Sequence, residues 1–507
     1  MIGNMKYLFL ISLLIPISIF AQKAKQIEII QAGSLEGSKI NGEEVRRLVG
    51  DVIFKQETTF LYCDSAIFYV ITNSIDAYGD VRVEGEKAKL NGDFLHYEGN
   101  TKIAVITGKV VKMTDGKAVL TTDKLNYDLV NDIGEYTTGG KVEDKENVLT
   151  SKHGYYYSKD KTVFFKDNVV LTNPKYIMKS DTLKYNSLNE TTYFFGPSTI
   201  QSTDKDSGFI YCEYGWYNTK TEKSYFSKNA YIQSKETKLS GDSLSYDRAT
   251  GIGKAWKNVN VTDTVQKIII SGEYATLDEK KAESFVTGKS MLTKILDTDS
   301  IYLHADTLYA KQDSATKLKT YFAYYHTRIF KTDLQGQCDS LVYSSKDSTI
   351  YFYGTPILWN NKNQLTATLI TIKLANNKLQ SMNLLANSFI TGLEDSLRYN
   401  QVKGRNMIGY FVQNKLDHIH VIGNGQTIYY IRNGKKQLTG VNKADCSDML
   451  IYLDSSKVKQ ISLLNKPDAT LYPIKELPPM ELRLKDFAWY GELQPKFKED
   501  IFEWKKN

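Results

Sequence analysis

The chain has 507 residues, with 65 basic against 58 acidic side chains, a formal net charge of +7, and 24% charged and 41% hydrophobic residues. That balance excludes a disordered chain, and the mild positive charge does not call for nucleic acid as a partner. Thirty-five tyrosines and 21 phenylalanines beside nine prolines point to β structure.

Residues 1–21 read as a signal peptide. Lys6 supplies a short positive region, Tyr7 to Phe20 is an apolar run of 14 residues, and Ala21 is a small residue before a cut at Gln22. The run is short for a transmembrane helix, so the mature chain is expected to be exported without one. Residues 22–44 hold a degenerate leading repeat, in which Ile30-Gln31-Ala32-Gly33-Ser34-Leu35 has Gly33 where later copies have an acid.

Residues 45–465 form an array. The octet Leu61-Tyr62-Cys63-Asp64-Ser65-Ala66-Ile67-Phe68 returns at Leu90 to Tyr97, at Leu120 to Tyr127, and onward with a period near 30 residues. Such a period marks a repeat architecture. Acid positions fall at Asp64, Asp93, Asp123, His153, Asp181, Glu213, Asp242, Glu273, Asp306, Asp339, Thr368, Asn406 and Asp448, and ten of these thirteen are acidic. Ten of thirteen copies also carry an aromatic four residues on, including Phe68, Tyr343, Tyr410 and Tyr452. The spacing lengthens over the last two copies, which carry insertions or a shifted assignment. Between octets runs a second landmark, as in Gly50-Asp51-Val52, Gly79-Asp80-Val81 and Asp167-Asn168-Val169. Gly or Asn before a β-branched residue is turn-then-strand chemistry, which predicts about three short strands per repeat.

Parity within the octet is informative. The apolar residue three before the acid and the small residue one before it share a strand face; the apolar residue two after and the aromatic four after belong to the other. Both sets reach one interior only if the strand bends at the acid. Asp64, Asp93, Asp123, Asp181, Asp242, Asp306 and Asp339 are therefore read as structural corners, their carboxylates turned outward or bonded to local backbone N–H groups. The rival reading is an acidic ladder serving calcium or carbohydrate chemistry.

Cys63, Cys212 and Cys338 stand immediately before their acids and Cys446 two before Asp448, in repeats several turns apart. Bridging needs Cα atoms within about 7 Å, so four free thiols are expected. Residues 466–507 hold five of the nine prolines. Proline cannot donate to a ladder, so pairing should stop there, and Trp489, Phe497, Phe502 and Trp504 could fold this tail over the terminal strand as a cap or dock it on a partner.

No catalytic motif is present: no Gly-x-Ser-x-Gly elbow, no phosphate loop, no Cys-x-x-Cys pair. His418 and His420 lack an evident third ligand and read as surface histidines, so no metal and no cofactor is expected. A uniform acid ladder offers no distinguished pair for glycosidase chemistry, and the chain is read as not an enzyme. Small residues such as Gly92, Ser180, Gly241 and Ala305 before the acids leave room either for a groove or for ordinary close packing.

Gly50-Asp51-Val52, Asp64-Ser65-Ala66-Ile67-Phe68 and Gly79-Asp80-Val81 together resemble the repeat of the OstA-like lipopolysaccharide-transport family, which includes LptA and the N-terminal domain of LptD. The resemblance implies an all-β chain: an extended antiparallel β-jellyroll, solenoid-like, with two facing sheets, here built from about 13–14 repeats. It implies a non-enzymatic carrier of lipopolysaccharide acyl chains, placed in the periplasm of a Gram-negative bacterium, alone or associated with the outer membrane. Partners would be lipopolysaccharide and other jellyroll-domain transport proteins at the inner and outer membranes, joined by end-to-end sheet addition. Candidate lipid-binding residues are Leu95, Tyr97, Leu125, Tyr127, Leu183, Tyr185, Leu244 and Tyr246. The chain departs from the family in having many more repeats than the short bridge protein and no long run of transmembrane strands. The alternative is a surface adhesin or structural β-solenoid with a dry core.

Overall fold

The computed structural model describes residues 25–505 apart from 87, 117, 145, 204–208, 234–236, 266, 297–298, 377, 436, 455–456 and 475–481. The signal-peptide segment lies outside the described residues. Forty β-strands and a 3-10 turn at Lys498–Phe502 make up the regular structure described. Among the described residues no helix is long and apolar enough to cross a membrane. The chain divides into two compact units, one of residues up to Pro174 with Lys184–Leu188, the other of Lys175–Leu183 with everything from Asn189 onward.

In the first unit, Glu43–Gln56 pairs with Thr59–Tyr69, and then Ser74–Glu84, Lys89–Glu98, Ile103–Thr114 and Val119–Asp128 follow as antiparallel neighbours in chain order. Each of these pairings shifts register once near its middle. Val49 faces Ser65 and Val52 faces Cys63, so Gly50 and Asp51 together lie opposite Asp64 alone. That is a β-bulge, which bends and twists the strand that carries the extra residue. Both residues of the doublet take positive φ: 85° and 44° at Gly50-Asp51, 74° and 37° at Gly79-Asp80. The same left-handed doublet recurs at Asp167-Asn168, Lys228-Asn229, Lys257-Asn258, Gly288-Lys289, Tyr325-His326, Gly354-Thr355, Ala386-Asn387, Gly423-Asn424 and Asn465-Lys466.

The glycine/asparagine landmark is therefore a mid-strand bend and not a chain reversal. A repeat holds two long bent strands where three short ones were predicted. True reversals lie at strand ends, as at Glu57-Thr58 between Glu43–Gln56 and Thr59–Tyr69. Where the two halves of a strand separate fully, the pairing splits into two ladders. Val119–Asp128 pairs through residues 119–122 with Gly140–Glu143 and through residues 126–128 with Ile133–Tyr136. In the second unit an upper ladder runs through Tyr231–Gln233, Thr237–Ser240, Met291–Ile295, Ser300–His304 and Thr327–Lys331. A lower ladder runs through Lys223–Ser227, Ser243–Asp247, Glu283–Thr287, Thr307–Gln312 and Lys319–Tyr324. Both feed from shared bent strands such as Ile252–Asp263 and Ile268–Asp278.

Directly opposed residues share a face, so the interior can be read as rows. Leu48, Ala66, Ala77, Leu95, Ile106 and Leu125 oppose one another in succession and are at most 3% exposed. One step further from the corner, Phe68, Ile75, Tyr97, Ala104 and Tyr127 form the next row, also buried.

Three of the thirteen acid positions move by one residue. The residues that face the left-handed doublets are Lys152, Arg405 and Ser447, in place of His153, Asn406 and Asp448. The bulge needs a single residue opposite the doublet and its peptide N–H, as where Lys152 N donates to Asp167 O at 3.0 Å and Ser447 N to Asn465 O at 3.0 Å. It does not need a carboxylate. The shift turns Tyr410 and Tyr452 outward, each 38% exposed beside the His418 ring, and gives the interior Tyr156 in place of Tyr157. It also sets Cys446 immediately before its corner, like the other three cysteines. All four thiols are free and buried.

Pairing continues past residue 466, since Asp468–Pro473 pairs with Leu438–Asp454. Among the described residues the ladder ends with that strand, at Pro473; Pro478 and Pro479 lie outside the described residues. The tail, beginning with Leu482 and Leu484 in one cluster with Tyr472 of that strand, then runs back across the outer face of the upper ladder. Gln401 Nε2 donates to Leu482 O at 2.9 Å and its Oε1 accepts from Leu484 N at 2.9 Å. Gln364 treats Ala488 O (2.8 Å) and Tyr490 N (2.6 Å) in the same way. Arg328, 1% exposed, donates to the carbonyls of Leu493 (2.5 Å), Asp500 (2.9 Å) and Glu503. Fully buried Ile501 and the ring contacts of Phe502 with His304 and Trp504 with His326 complete this strap.

Candidate functional site

The space between the two ladders is the natural place for a site, because both inner faces are apolar. In the first unit that space is filled. Leu95, Tyr97, Leu125 and Tyr127 belong to one cluster with Leu61, Val83, Leu90, Met113 and Leu120, none more than 7% exposed. Gly92 confirms the density, since a Cβ there would lie 2.6 Å from the Ile106 side chain. Here the sequence candidates touch each other.

Strands of the second unit between residues 209 and 301 behave differently. Near the corner a floor remains closed: Cys212, Ala230 and Val259 from the upper ladder, Phe226, Leu244 and Ala255 from the lower, all 1% exposed or less. Farther out, the upper wall is the opposed row Ile210, Ile232, Leu239, Val261, Ile270 and Leu292, every one only half-buried. The lower wall carries Tyr217, Tyr246 and Ala310, half-buried, and Leu277 at 36% exposure. The row positions match those of Leu61 and Tyr97 in the first unit, but these walls are only half-buried, with Ile270 and Leu292 packing against the cluster that begins at Leu303. An apolar trough with a sealed floor results. Past Leu303 the interior closes again, in a cluster running from Leu303 to Ile451.

The lipid candidates thus fall in different surroundings. Leu183 is fully buried before the trough begins, Leu244 is a fully buried floor residue, Tyr246 is a half-buried wall residue, and Tyr185 is half-buried in the first unit. The wall residues Ile210, Ile232, Leu239, Val261 and Ile270 lie on the octet's other parity or in the following strand, and sequence reasoning did not single them out. Their signal was present only as ordinary β-branched alternation.

At the corners the carboxylates are outward and locally bonded. Asp93 Oδ2 accepts from Lys109 N at 2.8 Å, Asp242 Oδ1 from Asn258 Nδ2 at 3.0 Å, and Asp339 Oδ2 from Ser340 Oγ at 2.8 Å. Asp306 pairs with His326 Nδ1 at 2.8 Å, and Asp123 accepts from Thr138 Oγ1. Asp64 packs under Gly79, where a Cβ would fall 2.2 Å from its Oδ2, and Asp181 lies beside Gly196. Gly423 N–H, donating to Asp448 Oδ1 at 3.0 Å, holds that carboxyl below its usual range. Each bond stays within one bend, and among the described residues no three His, Cys, Asp or Glu side chains gather as metal ligands. A cavity of about 840 Å³ outside successive corners is lined by Tyr211, Glu213, Lys228, Tyr231, Lys238 and Asp242.

A family model described as "OstA-like protein" matches residues 24–181 and 183–286. A second, described as "LptA/(LptD N-terminal domain) LPS transport protein", matches residues 269–378. No curated protein matches the chain. Among solved structures the chain is similar to LptH of Pseudomonas aeruginosa, titled as the LptA-homologous periplasmic component of the conserved lipopolysaccharide transport device. That likeness has 14% identity and a TM-score of 0.21 and covers 28% of this chain and 95% of the other, too slight to carry a structural argument.

Proposed function

Because this chain belongs to the family of OstA-like proteins, we propose that it is a non-enzymatic carrier of lipopolysaccharide in the periplasm. Acyl chains would lie in the trough of the second unit, against Ile210, Ile232, Leu239, Val261 and Ile270 on one wall and Tyr217, Tyr246 and Leu277 on the other. The observation that carries the reading is the half-exposure of these opposed apolar rows above a sealed floor. Exposing one acyl chain of about a dozen methylenes to water costs on the order of 10 kcal/mol, so a lipid crossing water needs such a wall. The corner aspartates have a structural part in this scheme: they bond locally at bends that the left-handed doublets make, and those bends set the two ladders face to face.

The partners we propose are lipopolysaccharide and other jellyroll-domain transport proteins, at inner and outer membranes. Among the described residues, Glu28–Gln31 and Ser34–Ile40 pair only with Glu43–Gln56, and Lys457–Leu464 and Asp468–Pro473 only with Leu438–Asp454. Such one-sided strands are templates for a further strand, which suits end-to-end sheet addition.

The test is a photoreactive residue placed singly at Leu239, Tyr246 or Lys238 in the full chain. Leu239 and Tyr246 should yield lipopolysaccharide adducts in cells. Adducts at outward Lys238 alone, or at none of the three, would favour a dry structural solenoid.

A further inference from the structure

The first unit closes its mouth in an unusual way. The hairpin tips of its upper and lower ladders are tied together by polar side chains, with buried Ile27 packed beside Gly99 at the first tie. Lys102 Nζ, at the tip Gly99–Lys102 of the lower ladder, lies 2.7 Å from Glu57 Oε2 at a tip of the upper one. Next to it Tyr97 donates its hydroxyl to Gln56 Oε1, and Gln56 Nε2 donates to Gly99 O at 2.9 Å. Two hairpins along, Asp115 of the upper ladder accepts from the Tyr156 hydroxyl and sits 3.4 Å from Lys161 Nζ of the lower. Beneath these ties lies a buried apolar interior, with Leu90 and Leu95 at most 1% exposed.

We propose that this mouth is a latched portal whose two lysines serve alternately as latch and as headgroup site for an anionic amphiphile. A phosphate is a stronger partner for an ammonium than a carboxylate already shared with solvent. It can take Lys102 and Lys161 from Glu57 and Asp115, freeing the tips to part while its apolar chain meets the rows below. The repeat itself tolerates the open state, since the same row positions stand half-exposed between residues 209 and 301 of the second unit. This deepens the lipid-carrying reading by assigning an entry control; the latch can be tested without lipopolysaccharide.

The reporter is Leu61→Cys, at a position 5% exposed in the interior, in the row that stands half-buried in the second unit. Cys63, Cys212, Cys338 and Cys446 are first changed to alanine, the residue Ala305 supplies at the equivalent place. The rate of alkylation at position 61 is then measured on the full chain alone, with dodecyl phosphate, and with neutral dodecyl maltoside. The expected result is slow labelling alone and with maltoside, and at least a tenfold acceleration with the phosphate. Lys102→Gln with Lys161→Gln should label fast in every condition, and Glu57→Lys with Lys102→Glu should recover slow labelling. Equal acceleration by both surfactants, phosphate-independent rates in the parent, or labelling that rises only with loss of the β circular dichroism signal would each overturn the portal. Should the double glutamine variant not fold, Lys102→Arg with Lys161→Arg must keep the phosphate effect. A portal that opens to dodecyl phosphate while Leu239 and Tyr246 yield no lipopolysaccharide adduct would separate failure of the carrier reading from failure of this one.

Discussion

Replacing Arg328 by methionine should release the C-terminal strap. The guanidinium is 1% exposed and is shared by three backbone carbonyls, those of Leu493, Asp500 and Glu503. Each charge-assisted bond to a buried acceptor is worth about 1.5–3 kcal/mol. The three do not add, because a strap that peels away gives its carbonyls to water. Removing one partner of a buried charged network costs about 3–5 kcal/mol, and the loss from R328M should fall there or stop sooner at the docking free energy of the strap. Trypsin acting on the full chain should then cut rapidly after exposed Lys496 and Lys498. Emission from Trp489 and Trp504, held against Tyr399 and His326, should shift red. Arg328→Lys should fall between the two, since one ammonium cannot span three carbonyls. Parental cleavage rates and unshifted emission in R328M would refute the assignment of Arg328 as the strap's anchor.

Gly79→Ala should destabilise the first unit by about 1–3 kcal/mol in urea melts, because φ is 74° and the new Cβ would fall 2.2 Å from Asp64 Oδ2. Asp80→Gly beside it, at φ 37°, should be neutral or stabilising by comparison. Asp448 has a depressed folded pKa, caused first by the Gly423 N–H, so its contribution is present above the unfolded value near ~3.9 and lost as pH falls through the folded one. Asp448→Asn should therefore flatten the fall of melting temperature between pH 5 and pH 2 (roughly the window of such a carboxylate). Burial pushes the Cys63 and Cys212 thiols up to about 12, so neither should react with iodoacetamide at mildly alkaline pH until denaturant is added.

The period, the all-β character and the existence of a bend were legible because each rests on local side-chain chemistry repeated many times. What kind of bend was not. A left-handed doublet such as Asp167-Asn168 has the same dihedral preference in a hairpin turn and in a mid-strand bulge, and only the partner strand tells them apart. Carboxylates were a good proxy for the corner while one stood there. Lys152, Arg405 and Ser447 show that the backbone makes the bend, and an acid or histidine one place on misled the count. Gln364, Gln401 and Arg328 look like solvated residues of a strand. Their burial depends on chain 81 to 175 residues away, beyond any local pattern. The trough was illegible for a related reason: Ile232 and Leu239 are spelled like core residues, and exposure is set by what fails to cover them.

The strap also imposes an order of events. Ladder partners lie close in sequence, so each hairpin can settle on the finished edge as soon as it is made, the regime in which local contacts form fastest. The strap cannot. Its partners lie far back along the chain, and its residues are made after all of them. Arg328, Gln364 and Gln401 must wait, solvated, until residues 482–503 arrive. A chain interrupted before that point keeps its ladders but leaves a charged, glutamine-lined face bare, so the arrival of the strap is written on the protein's surface.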